Sequence, residues 1–161
     1  MGIKLELFPG AHLLPCRQYR YFLERRWERG DRILNVIGLN PSTADESIDD
    51  PTIRRCICYA KDNGFSSLQM TNLFAFRATK PADLFKAPDP VGTHNDRWLQ
   101  FVARTSTVIL FAWGNHGRHM GRDQHVLDML PSGYCLGSNK NGTPKHPLYI
   151  NKTQPFIQYA T

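Results

Sequence analysis

An uninterrupted apolar run, RILNVIGLN at residues 32–40, is the feature that most limits what this chain can fold into. Such a run is typical of a strand covered on both faces, because a half-exposed strand alternates apolar with polar residues. A helix should follow, since Asp50 can act as its N-cap and Pro51 suits the first helical position. Apolar residues then repeat at helical spacing until Asn63 and Gly64, which favour the end of a helix. The segment therefore predicts a strand–helix unit.

The same alternation continues along the chain. We expect further strands within residues 65–76, 105–115 and 133–137, and helical segments within 80–92, 93–105, 125–130 and 153–160. Strands that alternate with helices predict an α/β three-layer sandwich whose central sheet has four mainly parallel strands. Residues 16–32, CRQYRYFLERRWERGDR, should add an N-terminal strand or hairpin. We expect residues 1–161 to form one domain, because this length suits a single compact core.

The composition is that of a globular protein with a basic surface. Hydrophobic residues make up 41% of the sequence and charged residues 21%, and the formal net charge is +6. A surplus of positive charge favours a polyanionic partner and argues against an acidic mimic of DNA. The arginines that alternate with aromatic residues in 16–32 fit either an edge strand with solvated arginines or a nucleic-acid surface.

The sequence contains no apolar run of transmembrane length and no signal-peptide stretch, so we expect a cytoplasmic monomer that contacts no membrane. Cysteines stand at positions 16, 56, 58 and 135, a spacing that matches no zinc pattern. Reduced thiols and no cofactor are expected, with a four-cysteine iron–sulfur cluster as the alternative. The histidines of residues 115–125 lack metal-site spacing. The sequence also lacks a Walker loop, a dinucleotide-binding glycine motif and a nucleophile elbow.

Polar residues follow the predicted strands at their carboxyl ends. Asn40 ends the first strand, Asn72 ends the second, Asn115 follows the third, and His146 lies in the loop after the fourth. In a doubly wound sheet, ligands bind beyond the carboxyl ends of the strands. We therefore expect these side chains to meet at one edge of the sheet and to form a ligand site there.

Nearly the whole chain resembles a bacterial and phage family of uncharacterised single-domain proteins. The motifs that carry this resemblance occur here in order: LNPSTAD, DDPTIRRC, NLFAFRAT, AWGNHG and HPLY. The match is specific, and it implies a shared fold without implying an activity.

Residues 33–152 carry a more distant resemblance. Their motif order is similar to that of the uracil-DNA glycosylase superfamily, whose first motif, G-x-[DNE]-P, corresponds here to GLNP at 38–41. MTNLFAFRAT resembles the strand whose Asn reads the base, ILFAWGN resembles the strand that ends in WG or LG, and HPLYINK resembles the closing HPSPLS-like loop. The resemblance implies the fold of that superfamily and cleavage of an N-glycosidic bond.

The resemblance and the residue types together predict roles for individual side chains. Asn72 would read the base edge, His146 would donate a hydrogen bond to the leaving base, and Asn40 would hold the attacking water. Because an amide is no general base, a carboxylate in the same turn, Asp45 or Asp49, would activate that water.

Further residues are expected to contact the base and the phosphates. Leu39 and Pro41 would border the base, and Trp113 would either stack on it or belong to the core. The predicted phosphate contacts are Ser42, Arg54, Arg55, Arg77, Asn115 and Lys152.

We therefore expect a glycosylase-like enzyme that removes a damaged or modified base from DNA, in DNA repair or phage defence. Two alternatives stay open: a non-catalytic nucleic-acid or nucleotide-binding module of the same fold, and a nucleoside or nucleotide hydrolase or transferase. The sequence departs from the superfamily at Asn40, where Asp is usual, and at Leu148-Tyr149, where Ser-Pro is usual. Acids within 43–52 also replace the aromatic residue expected to stack on uracil. Uracil itself is therefore not the predicted base.

Overall fold

The computed structural model describes residues 11–13, 17–130 and 132–159. Within them the strands are β1 (Ala11–Leu13), β2 (Arg20–Arg26), β3 (Ile33–Gly38), β4 (Ser67–Asn72), β5 (Val108–Phe111), β6 (Tyr134–Cys135) and β7 (Ile157–Gln158). The helices are α1 (Pro51–Asp62), α2 (Pro81–Lys86), α3 (Asn95–Thr105) and α4 (Arg122–Met129), with 3-10 turns at Asn115–Gly121 and Pro147–Tyr149.

All seven strands join one sheet in the order β1-β2-β4-β3-β5-β6-β7. β3 pairs in parallel with β4 and β5, and β5 pairs in parallel with β6. The pairs β1–β2, β2–β4 and β6–β7 are antiparallel, so the sheet is mixed. The prediction of an α/β protein is confirmed, whereas the sheet is larger than the four strands expected. The N-terminal strand expected within residues 16–32 corresponds to β2, and its antiparallel partner β1 lies before that range.

Helix α1 begins and ends where the sequence predicts. The side chain of Asp50 accepts a hydrogen bond from the backbone N–H of Ile53 at 2.9 Å, and Pro51 occupies the first turn. Asn63 is the C-cap, and Gly64 follows with a φ of 77°, a conformation that glycine adopts without strain. The cap fixes the direction in which the chain leaves the edge of the sheet.

Helices cover the sheet on both faces, which gives three layers. One apolar cluster joins α1 to alternate residues of β3, β4 and β5: Leu34, Val36, Leu68, Met70, Leu110, Ile53, Cys56 and Ala60. The cluster on the other face joins the intervening strand residues to α2, α3 and α4: Ile37, Ile109, Phe111, Leu84, Leu99 and Val126. Alternate residues of each strand therefore belong to the two clusters, because successive side chains of a strand point to opposite faces of the sheet.

The helix expected within residues 153–160 is absent, and that prediction is wrong. Ile157 and Gln158 instead form β7, whose residues pair with Cys135 and Tyr134 of β6. Phe156 packs on the α1 side of the sheet and Tyr159 on the opposite side. Pairing with the edge strand therefore decides the conformation of this short segment.

The aromatic residues of the N-terminal strand point into the core. Tyr21 and Phe22 are buried, and Phe22 stacks on Trp98 of α3 with ring centroids 5.4 Å apart. These rings are therefore not part of a nucleic-acid surface. The alternative of an edge strand with solvated arginines is wrong as well, because β2 pairs with both β1 and β4 and Arg20 is buried. None of the helices in the described residues is long and apolar enough to cross a membrane.

Candidate functional site

A cavity of about 620 Å³ lies at the carboxyl ends of β4, β3 and β5, on the face covered by α1. Each of the three strands, or the residues directly after it, contributes two lining residues two positions apart: Met70 and Asn72, Val36 and Gly38, Ala112 and Gly114. Residues at this spacing share a face of the sheet. The first turn of α1 lines the cavity with Asp50, Thr52 and Ile53, and the loop after β6 adds His146.

Two glycines lie beside polar side chains of the cavity. A Cβ atom at Gly38 would lie 2.9 Å from Oδ1 of Asn72, closer than real Cβ contacts allow. Gly114 has a φ of 75°, which disfavours any other residue, and it lies beside Cβ of His146. Gly38 therefore leaves room for the side chain of Asn72, whereas Gly114 suits the positive φ at its position.

Asn40 presents an acceptor and not a base. Its Nδ2 donates to the carbonyl oxygens of Ala78 at 2.8 Å and Pro41 at 3.0 Å. Because both partners can only accept, they fix the orientation of the amide. Oδ1 accepts no hydrogen bond from the described residues. Asn40 can therefore hold a water through Oδ1 but cannot deprotonate it.

Asn72 holds an unused donor within the cavity wall. Its side chain is 3% exposed, and its Nδ2 has no hydrogen-bond partner among the described residues. Its backbone oxygen accepts from Nδ2 of Asn95 at 2.9 Å, which ties the end of β4 to α3. An unsatisfied buried donor costs about 1–3 kcal/mol. A ligand that supplies an acceptor would recover that free energy.

His146 is arranged as a neutral hydrogen-bond donor. Its Nδ1 accepts from the backbone N–H of Leu148 at 3.3 Å, so the neutral ring carries its proton on Nε2. Burial lowers the pKa of His146 below its ordinary value of 6.5, and the charge of Asp50 only partly offsets this. The imidazole is therefore neutral at pH 7, with a donor available to a ligand.

Asp50 lines the cavity in addition to capping α1. It is 8% exposed, and one carboxylate oxygen accepts from Ile53. The second oxygen makes no hydrogen bond among the described residues. The predicted role of Asp50 as the helix cap is confirmed, and its second carboxylate oxygen lies beside the cavity in addition.

The two acids predicted to activate water lie outside the cavity. Asp45 Oδ1 accepts from the backbone N–H groups of Ser47 and Ile48, and these bonds lower the pKa of Asp45. Asp49 Oδ1 accepts from Nε of Arg25 at 2.7 Å. Both carboxylates stabilise the loop before α1, and neither is among the lining residues.

All three predicted base contacts, Leu39, Pro41 and Trp113, are among the residues that line the cavity. Trp113 is 1% exposed, and its ring packs against Phe111 at 5.2 Å in the cluster on the opposite face. Trp113 lies one position from Ala112, so its side chain leaves the sheet in the other direction. Its ring is part of the core and not a stacking surface.

Of the residues predicted to bind phosphate, Ser42 and Asn115 line the cavity. The others lie elsewhere. The guanidinium of Arg77 donates to the carbonyl oxygens of Ser42, Thr43 and Arg17, and that of Arg54 donates to Asp49. Arg55 lies over the ring of Tyr59, and Lys152 is exposed without lining the cavity.

The comparison with known families agrees with the first resemblance. Residues 20–148 match the family described as "Protein of unknown function (DUF1643)". The chain belongs to this family. No curated protein and no solved structure matches it, so the likeness to the uracil-DNA glycosylase superfamily stays a prediction.

Sequence reasoning missed several lining residues, and Arg20 is the most notable of them. Lys145 and Thr52 line the cavity too. Arg20 begins β2, which runs antiparallel to β4, so the start of β2 lies beside the end of β4. The rule that ligands bind at the carboxyl ends of parallel strands does not predict a residue at the start of an antiparallel strand. Arg20 can be recognised from the sequence only if the pairing of β2 with β4 is known.

The described residues contain no group of three or more His, Cys, Asp or Glu side chains that could hold a metal ion. Cys56 and Cys135 are buried, Cys58 is exposed, and Cys16 lies outside the described residues. Burial raises the pKa of Cys56 to about 12, so this thiol is unreactive at neutral pH.

Proposed function

We propose that this protein is a glycosylase-like enzyme that hydrolyses the N-glycosidic bond of a damaged or modified base in DNA. The observation that carries the proposal is that Asn40, Asn72 and His146 line one cavity and that each retains an unused hydrogen-bonding atom. The volume of about 620 Å³ lies in the range of small-molecule sites and accommodates a base with its sugar.

The reaction needs a stabilised leaving base and an activated water. Asn72 would pair with the edge of the base, and Nε2–H of His146 would donate to a base carbonyl as negative charge develops there. A neutral imidazole suits this role, because it stabilises the anion without first having to lose a proton. These two side chains therefore act on the leaving group.

The water side of the reaction falls to Asn40 and Asp50. Oδ1 of Asn40 would hold the water, and the free carboxylate oxygen of Asp50 would take its proton as the oxygen attacks C1′. The electron pair of the C1′–N bond leaves with the base, which then accepts the proton. This assignment gives Asp50 the role that the sequence analysis gave to Asp45 or Asp49, because those two carboxylates are engaged outside the cavity.

DNA as the substrate is supported by the net charge of +6, which favours a polyanion. The reacting nucleotide would have to leave the base stack, because the cavity lining is set into the edge of the sheet. Tyr149, 84% exposed, and Leu148 lie among the lining residues and offer apolar surface toward the duplex.

The decisive experiment combines a substrate panel with a matched pair of variants. Oligonucleotides that each carry one damaged or modified base are incubated with the protein, and abasic sites are revealed by alkaline strand cleavage. Asp50→Asn is expected to keep the helix cap, since Asn and Asp cap equally well, and to lose about 100-fold or more in rate. Asp50→Ala should lose the same activity and about 1 kcal/mol of stability as well.

Three further variants complete this experiment. His146→Gln and Asn40→Ala should reduce base release strongly, whereas Arg32→Gln, at an exposed position outside the cavity, should leave it unchanged. The proposal is wrong if no base in the panel is released, or if Asn40→Ala and Asp50→Asn release bases as fast as the wild type.

A second function, binding without turnover, is favoured by one observation. Asn40 offers no base, and Asp50 is already engaged as a cap through one oxygen. A binding module would bind oligonucleotides with strongly salt-dependent affinity and release no base.

Free nucleosides and nucleotides in parallel reactions identify the third possibility, because an enzyme for small substrates would turn these over and bind duplex weakly.

A further inference from the structure

Arg20 is a buried cation that has no ion-pair partner among the described residues. The residue is 2% exposed and lines the cavity. Nη1 donates to the carbonyl oxygen of Ala44 at 2.9 Å. Within the part of the chain that the structure describes, Nε is buried without a hydrogen-bond partner, Nη2 makes no hydrogen bond, and no carboxylate forms an ion pair with the guanidinium.

Such an arrangement is costly for the protein alone. Burial lowers the pKa of Arg20 to about 10, a direction that reflects a desolvated charge, and the nearby charge of Asp50 offsets only part of this. The group remains charged at neutral pH, and a buried charge is stable in proteins only when it is paired and hydrogen-bonded. A bound oxyanion would supply both the charge and the acceptors.

The two free nitrogens are the pair that binds oxyanions best. Nε–H and the N–H groups of Nη2 lie on the same edge of a guanidinium and can donate in parallel to two oxygens of one anion. The bond to Ala44 uses Nη1, the remaining nitrogen, and so leaves this edge unoccupied. The orientation of the side chain therefore preserves the bidentate donor pair.

The charged side chains that line the cavity have an excess of positive charge, which suits a ligand with a single anionic group. The lining includes two cationic side chains, Arg20 and Lys145, and one carboxylate, Asp50. His146 adds no positive charge to this lining, because it is neutral at pH 7. The lining thus carries a net positive charge before a ligand binds.

From these observations we infer that Arg20 is the recognition group for an oxyanion of the ligand, bound bidentately by Nε and Nη2 at the inner wall of the cavity. The oxyanion is a carboxylate on a modified base or the phosphoryl group of a nucleotide, since both present two oxygens to a guanidinium. The inference rests on the proposed function only in taking the ligand to contain a base.

Binding without turnover tests this inference. The full chain is titrated calorimetrically with two matched pairs, uracil against 5-carboxyuracil and deoxyuridine against its 5′-monophosphate, and with inorganic phosphate alone. At least one anionic member should bind about tenfold or more tightly than its neutral partner, as a charge-assisted bidentate contact predicts. Preference for the carboxylated base identifies a modified base as the source, and preference for the monophosphate identifies a nucleotide.

The variants assign the preference to Arg20. Arg20→Gln keeps a donor for Ala44 and should abolish the anion preference, while Arg20→Lys keeps the charge but not the bidentate pair and should retain only part of it. Arg32→Gln removes an exposed arginine that lies over Phe65 away from the cavity, and it should bind like the wild type.

A measurement on the wild type guards against a variant that does not fold. In protein labelled with ¹⁵N-arginine, the preferred anion should shift the resonance of one solvent-protected Nε–H group, and its neutral partner should not. The inference is overturned if neither matched pair shows a preference, or if a folded Arg20→Gln variant keeps the preference. If the protein releases a base but shows no preference for the anionic ligands, only this inference is wrong. If it shows that preference but releases no base, only the glycosylase proposal is wrong.

Discussion

Two loops border the cavity, and they are held in place by opposite means. The acidic loop, residues 42–49, joins β3 to α1, and arginine side chains from other parts of the chain hold its backbone carbonyls. The His146 loop, residues 137–146, follows β6 and is held mainly by hydrogen bonds within itself. The first loop depends on distant charges and the second on local turn chemistry.

The acidic loop receives hydrogen bonds from four arginines. All of these bonds end on backbone oxygens of the loop. Arg20 donates to Ala44, and Arg25 donates to Asp45 and Ile48. Arg77 donates to Ser42 and Thr43, and Arg54 donates to Asp49. Two of these arginines lie on β2, which the sheet places beside β4. The acidic residues of this loop therefore lie close to arginine side chains, and these side chains hold the loop backbone in place between Asn40 and Asp50.

The His146 loop forms a small hairpin of its own. Ser138 and Pro144 form an antiparallel bridge, and the backbone N–H of Asn139 donates to the oxygen of Thr143 at 2.8 Å. From outside the loop, the N–H of Gly114 donates to the oxygen of Pro144 at 2.9 Å, and Arg118 and Tyr159 donate to the carbonyl oxygens of Asn141 and Gly142. The position of His146 thus depends mainly on the turn and on Gly114, and a single arginine holds this loop where four hold the acidic one.

The largest expected effect comes from removing the central arginine of the acidic loop. Arg25→Met deletes an ion pair to Asp49 at 2.7 Å and the bonds to two loop carbonyls, on a side chain that is only 16% exposed. Because hydrogen bonds from charged groups contribute about 1.5–3 kcal/mol each, we expect a loss of about 3 kcal/mol. Urea unfolding followed by circular dichroism measures it.

Arg17→Met is the matched control for that variant. Arg17 pairs with Asp45 and Glu46 of the same loop, but its side chain is 48% exposed. Exposed ion pairs contribute about 0–1 kcal/mol, so this substitution should change stability little. Equal losses in the two variants would mean that buried arginine contacts do not hold the acidic loop, and the contrast between the loops would fail.

The contrast also explains what could be read from the sequence. The limits of α1 and the gathering of Asn40, Asn72 and His146 at one edge follow from local spacing and from the rule for parallel sheets. The roles of Arg20 and Arg25 do not, because they depend on the antiparallel pairing of β2 with β4. Local patterns carry no information about such a pairing.

Two further side chains, Trp113 and Asp50, show what local patterns leave undecided. Successive side chains of a strand point to opposite faces of the sheet, so the face on which the Trp113 ring lies depends on the position of Trp113 relative to β5. An error of one residue in that position would place the ring on the wrong face. Asp50 was recognised as a cap, but whether its second oxygen meets a cavity depends on which face of the sheet α1 covers. Residue type and spacing leave both questions open.

A substitution of intermediate effect tests the His146 loop. Gly114→Ala places a side chain at a φ of 75°, and we expect it to cost about 2 kcal/mol. Gly64→Ala is the matched control, because its φ of 77° imposes similar strain at the end of α1, where an added Cβ meets open space. Both variants should lose stability in urea unfolding, but only Gly114→Ala should also weaken ligand binding. Equal binding by the two would show that Gly114 does not position His146.

The smallest expected effect is a dependence on pH that separates the two loops. Burial lowers the pKa of His146, so near pH 6 the unfolded chain binds more protons than the folded protein. Stability from this residue is therefore complete above pH 6.5 and declines as the pH falls toward the lower pKa of the folded state. The pKa of Asp45 is lowered as well, so stability from the acidic loop persists until the pH falls below about 3.8.

Between pH 5 and 7.5 the His146 loop should thus respond to acid and the acidic loop should not. Unfolding free energies of the wild type should fall toward pH 5 more steeply than those of His146→Gln, because glutamine does not titrate. Arg17→Met, which removes a partner of Asp45 and Glu46, should leave the slope of the wild type unchanged across this range. A His146→Gln variant with the slope of the wild type would mean that His146 is not held neutral by burial, and its assignment as a neutral donor would then fail.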